Sequence, residues 1–200
     1  MSFHLQSMNR RPDHIKNGHD EWYTKKETYD YLNQKFGPFT LDPFAHELSH
    51  LCPRYYTKEQ DAFQQDWGRN KAFCNPPYSL VERAISYTIM NHYEAWFLTN
   101  AATDNRWFHR WIAPHCDELY FFRGKLYFDE NPAEKRKRLL AKYKANFCEE
   151  MMKIENPAPR PSIFFHIPNS DATFGDKKWG VLYRNLKEEL ATKPAAYHLQ

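Results

Sequence analysis

Five residues near the middle of the chain, Cys74-Asn75-Pro76-Pro77-Tyr78, constrain its fold more than any other stretch. Two consecutive prolines fix φ at about −65° and remove two backbone N–H donors, so no sheet ladder runs on through them. The residues just before, Ala72-Phe73-Cys74, are apolar and read as a brief buried strand. From Ser79 to His92 the apolar Val81, Ala84, Ile85 and Ile89 recur at helical spacing. Strand, stiff turn and helix therefore follow one another directly. That succession is the repeating unit of layered α/β proteins.

The rest of the chain carries the same alternation. Tyr29, Leu32 and Phe36 predict a helix over Thr24–Phe36, with Thr24 and Glu27 in capping-box spacing and Gly37-Pro38 as its stop. Short extended pieces are expected at Phe39-Thr40-Leu41, Lys71–Cys74, Ala95–Thr99, Glu118–Phe122, Lys125–Phe128 and Ser162–Ile167. Further helices are expected around Trp107, Phe108, Trp111 and Ile112, over Glu134–Met152 and over Lys177–Leu190. The two tryptophans of the first of these read as core. The whole predicts a single α/β domain with a mostly parallel sheet over residues 19–200, preceded by a mobile arm over 1–18.

Other classes are disfavoured. A mean hydropathy of −0.86, without a long apolar run, leaves no membrane span, and the polar first twenty residues do not form a secretory signal. The four cysteines lack CxxC spacing and read as reduced thiols of a cytoplasmic protein. With 13 prolines but only 6 glycines, and no GxGxxG or Walker pattern, a glycine-built phosphate cradle is not expected.

Two motifs bear on chemistry. His46-Glu47-Leu48-Ser49-His50 has the HExxH form, in which a helix presents two imidazoles to zinc and the Glu activates water. Asp42-Pro43 and Pro53 leave room for only about two helical turns there, so a polar, partly exposed helix is the simpler expectation, with no metal, and a zinc hydrolase a remote alternative. The Asn75-Pro76-Pro77-Tyr78 turn is better suited to catalysis. An exocyclic amino nitrogen is a poor nucleophile while its lone pair is delocalised into a ring. Two acceptors that hold its hydrogens, the Asn75 side-chain oxygen and the Pro76 carbonyl, free that lone pair. Pro77 keeps the carbonyl aimed, and Tyr78 offers a face for a planar group.

Taken with Glu21-Trp22-Tyr23-Thr24, Phe39-Thr40-Leu41-Asp42-Pro43-Phe44-Ala45, Cys52–Glu59, Asp61, Gln65-Asp66-Trp67, Thr103–His109, Arg123-Gly124-Lys125-Leu126 and Ala158–Ser162, this motif resembles the phage-type adenine-N6 DNA methyltransferases, the small Dam-like family. The likeness runs in order from about residue 20 to residue 168. It implies a Rossmann-like S-adenosylmethionine-dependent methyltransferase fold and methyl transfer to the N6 amino group of a flipped adenine in double-stranded DNA. It also implies that Asp42 and Pro43 lie in the cofactor loop, that Trp22, Tyr23 and Thr24 line the methionine end of the donor, and that Asp61 and Asp66 face the cofactor side. Lys25 stands where relatives often carry a proline. Loop and cap duty is the alternative for Asp61 and Asp66.

The net charge of +3 hides an asymmetry. Between Arg123 and Lys144 lie eight basic residues against three acidic ones, while the remainder holds 20 against 22. Arg123, Lys125, Lys135, Arg136, Lys137 and Arg138 are therefore expected to meet DNA phosphates, within a helical insertion at about 129–157. A solvated charged helix is the plainer reading of the same run. Because planar amines and amides also occur on RNA bases and protein glutamine, a methyltransferase for either, or a non-catalytic DNA-binding relative, are the competing functions. A phage-encoded protein of this kind works in the cytoplasm of its host.

Overall fold

The computed structural model describes residues 22–47, 49–130, 132–153, 155, 158, 160–169 and 178–182. The expected arm over 1–18 lies outside them. In chain order the strands are β1 (Tyr23–Thr24), β2 (Leu41–Asp42), β3 (Arg54–Tyr55), β4 (Lys71–Cys74), β5 (Glu94–Asn100), β6 (Glu118–Phe122), β7 (Phe128–Asp129), β8 (Ser162–Ile167) and β9 (Lys178–Leu182). The α-helices are α1 (Lys26–Phe36), α2 (Val81–Met90), α3 (Ala113–His115) and α4 (Pro132–Tyr143), with a π-helical turn at Phe108–Ile112 leading into α3.

Seven strands form one sheet in the order β3-β2-β4-β5-β8-β6-β9. All neighbours pair in parallel except around β8, which runs against both β5 and β6. The chain leaves β2 toward β3 on one side and leaves β4 toward β5 on the other. The crevice outside the carboxyl ends of β2 and β4 is thus a switch point, the place where open α/β sheets bind ligands.

Side-chain alternation fills a layer on each face of the sheet. Ala72 and Cys74 of β4, Ala95 and Phe97 of β5, and Ile163, Phe165 and Ile167 of β8 pack with Val81, Ala84, Ile85, Trp111 and Ile112. Their alternates Phe73, Trp96, Leu98 and Phe164 pack with Tyr29 and Leu32 of α1, where the Phe36 ring also packs at a tilt against Trp96, 4.5 Å away. Trp111 is buried and Trp107 packs against the first of these layers, as their spacing predicts.

Several elements differ from the sequence reading. Thr24 does not cap α1: the cap is Lys25, without a side-chain bond, and Thr24 lies in β1. Of the expected 125–128 strand, the Phe128 end forms β7, which pairs with β1 apart from the main sheet. The long 134–152 helix breaks into α4 and two 3-10 turns, the first opening at Lys144, whose φ is 50°. Residues 178–182 form strand β9, not a helix. Trp179 and Val181 favour extended structure, and the bare Gly180 lets the Tyr120 ring lie against the backbone, where a Cβ would sit 2.7 Å from the ring. The rest of the expected 177–190 helix lies outside the described residues.

Candidate active site

The strand, turn and helix expected around the double proline are β4, a turn at Asn75–Pro77 and, after a 3-10 turn at Tyr78–Leu80, α2. Asn75 thus leaves the carboxyl end of β4 at the switch point. The register sets Leu41 of β2 beside Ala72 of β4, so Asp42 falls two positions short of Asn75 on the neighbouring strand.

Asn75 is held from the side by the segment before α1. Its Nδ2 donates to the Trp22 carbonyl at 2.8 Å and to the Thr24 hydroxyl at 3.1 Å. A backbone carbonyl accepts and never donates, so the amide nitrogen is fixed on that side and Oδ1 on the other. A small, shallow pocket open to solvent adjoins it. Trp22, Asn75, Pro76, Tyr78, Thr99, Phe128 and Ser162 line this pocket. Trp22 and Phe128 reach it because β1 and β7 pair as a two-stranded ribbon, Thr24 opposite Phe128, apart from the main sheet.

Three of these residues, Thr99, Phe128 and Ser162, are not singled out by sequence reasoning. Thr99 stands near the carboxyl end of the apolar β5 run, and that position was the available clue. Phe128 carries no local signal, since its place depends on a partner strand more than a hundred residues away.

Asp42 is 5% exposed. Its carboxylate accepts long hydrogen bonds from the backbone N–H groups of Phe44, at 3.3 Å, and Leu51, at 3.4 Å. Burial raises its pKa to about 7, against the weaker opposing effect of those two donors. Among the described residues no cation pairs with it. A buried carboxylate at a switch point, short of positive charge, is chemically matched to a ligand that brings an ammonium group. Burial also pushes the neighbouring Cys52 thiol up to about 12 and the Cys74 thiol well above the ordinary range, so neither is a ready nucleophile.

Two other expected residues, Asp61 and Asp66, make local turn and cap contacts. Asp61, at φ 51°, caps the 3-10 turn at Ala62–Gln64 by accepting from the Phe63 N–H at 3.1 Å. Asp66 accepts from the Gly68 N–H at 2.8 Å and the Tyr93 hydroxyl at 3.1 Å. Those contacts set Asp66 at the amino ends of β4 and β5, with the length of β4, about 13 Å, between it and Asn75.

His46, Glu47, Ser49 and His50 lie in a turn and not in a helix: the Ser49 N–H bonds the His46 carbonyl at 2.8 Å and the two residues form an isolated bridge. This corrects the helical expectation and removes the geometry a zinc motif needs, since a turn does not bring the two imidazoles onto one helical face. His50 stacks on Tyr55 at 4.1 Å, and His46 meets the Tyr23 ring at 5.4 Å.

The basic segment is partly engaged. Arg138 pairs with the nearly buried Glu130 at 2.7 Å, and Arg136 with Glu149 at 2.6 Å. Arg123, Lys125, Lys137, Lys142 and Lys144 are exposed, and Lys135 is half-buried.

A mostly parallel sheet with an Asn-Pro-Pro-Tyr turn and a buried carboxylate side by side at its switch point is the arrangement of a methyltransferase-like α/β protein. Residues 12–176 match the DNA N-6-adenine-methyltransferase (Dam) family, and the chain belongs to it. It is similar to the DNA N-6-adenine-methyltransferase of Escherichia phage T1, 32% identical over 102 residues that cover 48% of this chain and 41% of that protein. It is also similar to the DNA N-6-adenine-methyltransferase of Haemophilus phage HP1, 28% identical over 121 residues, 58% of this chain and 70% of that one. The chain therefore spans about two fifths of the phage T1 protein.

Proposed function

We propose that this protein transfers a methyl group from S-adenosylmethionine to the N6 amino group of adenine in DNA, on a Rossmann-like fold. The observation that carries the reading is the fixed amide of Asn75. With Nδ2 committed to the Trp22 carbonyl and the Thr24 hydroxyl, Oδ1 is left to accept from an amino group in the pocket. The Pro76 carbonyl is the second acceptor, held by Pro77. Together they draw the adenine N6 toward tetrahedral geometry and make its lone pair available. Tyr78 and Phe128 give the pocket aromatic walls for a base taken out of the duplex. N6 must shed one proton when it is methylated. Among the described residues, those lining the pocket are Trp22, Asn75, Pro76, Tyr78, Thr99, Phe128 and Ser162, and water at the open side would take that proton.

The donor, when bound, supplies a methyl group activated by its positively charged sulfur. Asp42 would hold its ammonium group, and Pro43 and the Trp22–Thr24 segment would flank it. Asp61 is the remaining candidate for its ribose or base. Asp66 would take part only through a path that brings the donor to the far end of the sheet. Of the basic residues, Arg123, Lys125 and those of α4 would track DNA phosphates.

The test is transfer of labelled methyl from S-adenosylmethionine to separate DNA, RNA and protein pools, with Asn75→Ala beside the wild type. Label in DNA as N6-methyladenine, lost by at least about a hundredfold in Asn75→Ala, is the expected result. Label in RNA or in protein glutamine would replace the substrate, and undiminished DNA labelling by Asn75→Ala would remove the role given to the motif.

A further inference from the structure

An asparagine amide has two flips of nearly identical shape and opposite chemistry. In one, Oδ1 faces the pocket and accepts from an amine. In the other, the NH2 group faces the pocket and opposes it. Asn75 on its own has no reason to prefer the first.

We infer that Thr24 is a positioning residue: the Trp22 carbonyl selects the accepting flip of Asn75, and the Thr24 hydroxyl takes the second Nδ2 hydrogen and holds the amide in place. Both hydrogens of Nδ2 have a partner, Trp22 O at 2.8 Å and Thr24 Oγ1 at 3.1 Å, so none is left to face the pocket. In the reversed flip Oδ1 would meet the Trp22 carbonyl at about that same distance, two acceptors without a proton between them. Thr24 is 5% exposed, so water does not readily replace its hydroxyl. It is also free of the helix-capping duty its position suggests, because Lys25 is the cap. Pairing of Thr24 with Phe128 across the ribbon fixes where the hydroxyl stands. The same pairing ties the wall of the pocket to the orientation of its acceptor.

This inference rests on the function proposed for Asn75, and it departs from a donor-lining role for Thr24. The two roles separate experimentally. In the full chain, Thr24→Val removes the hydroxyl at constant shape and Thr24→Ser retains it. Turnover of DNA methylation, donor affinity by direct titration, and the side-chain amide NMR signals of Asn75, assigned by their loss in Asn75→Ala, are measured for each. A positioning role predicts that Thr24→Val lowers kcat about five- to tenfold with donor affinity unchanged and the Asn75 amide signals shifted. Thr24→Ser should restore both to within about twofold of wild type. Donor affinity falling in step with turnover, or Thr24→Ser no better than Thr24→Val, overturns the inference. Should Thr24→Val not fold, Thr24→Ala takes its place against the same Ser reference. If the wild type labels no DNA, the proposed function fails, and the amide signals still decide the positioning role: unmoved in the hydroxyl-less variant, they refute it, and moved and restored by Ser, they support it.

Discussion

Asn75 and Asp42 are two residues apart in sheet register but live in opposite environments. Asn75 is half-buried with its donors satisfied, whereas Asp42 is buried with weak partners and a pKa raised to about 7. An unfolded Asp titrates near its ordinary value of 3.8, so the folded state holds the extra proton between there and about pH 7. The stability that this proton confers is complete below the unfolded pKa and is lost as pH rises through the folded one. At pH 8 the ionised carboxylate is therefore a liability to the fold. Asp42→Asn should raise the melting temperature at pH 8, with the gain shrinking as pH falls through 7 toward 4, while methyl transfer is reduced. Melts across that range check it, and a gain that does not vary with pH would contradict the assignment. Saturating S-adenosylmethionine should narrow the difference between the two proteins at pH 8 if its ammonium pairs with Asp42.

At the scale of elements, β4, α2, β5, β6 and β8 were legible because each carries its own apolar pattern and buries it. Local pattern failed where a distant partner decides the outcome. Thr24 has the spacing of a helix cap, yet pairing with β7 draws it into a strand. Residues 178–182 sit in a stretch of helical spacing, yet the open edge of β6 recruits them as β9. The Asn-Pro-Pro-Tyr turn was readable for the same reason as β4, since its prolines act locally, but Phe128 enters the pocket through tertiary structure alone. For β9, Gly180→Ala should cost about 1–3 kcal/mol, seen as a lower melting temperature, because the Tyr120 ring is itself packed against Phe36 and Trp96 and has little room to move. Along α4 the cations divide by their partners. Arg138→Gln should destabilise the fold by about 1–3 kcal/mol by stranding Glu130. Lys137→Gln should leave the melt unchanged and lower the salt slope of DNA binding by about 1. A slope that Lys137→Gln does not alter would exclude that lysine from the phosphate path.

The whole molecule separates two chemistries by the length of its sheet. The pocket and Asp42 occupy the carboxyl ends of the central strands. At the amino ends His166 sits between Asp117, at 2.8 Å, and Glu94, at 3.4 Å, and stacks on Trp96 at 4.8 Å. Replacing His166 with Gln should lower thermal stability and leave kcat and KM for methyl transfer unchanged, whereas a matched loss of kcat would mean that the two ends communicate. The β1–β7 ribbon has a consequence of another kind. Its halves come from residues 23–24 and 128–129, so the ribbon that carries Thr24 forms only after more than half the chain has emerged and folded back on its beginning. During synthesis the sheet around β4 and β5 can assemble first, while Asn75 is still free to turn. The ribbon has only two residues on each strand to hold it, so in the finished protein it should also be among the first parts to open. On the proposed function, competence would be acquired late and surrendered early: a nascent or partly unfolded chain would carry the motif without the Asn75 orientation the reaction needs.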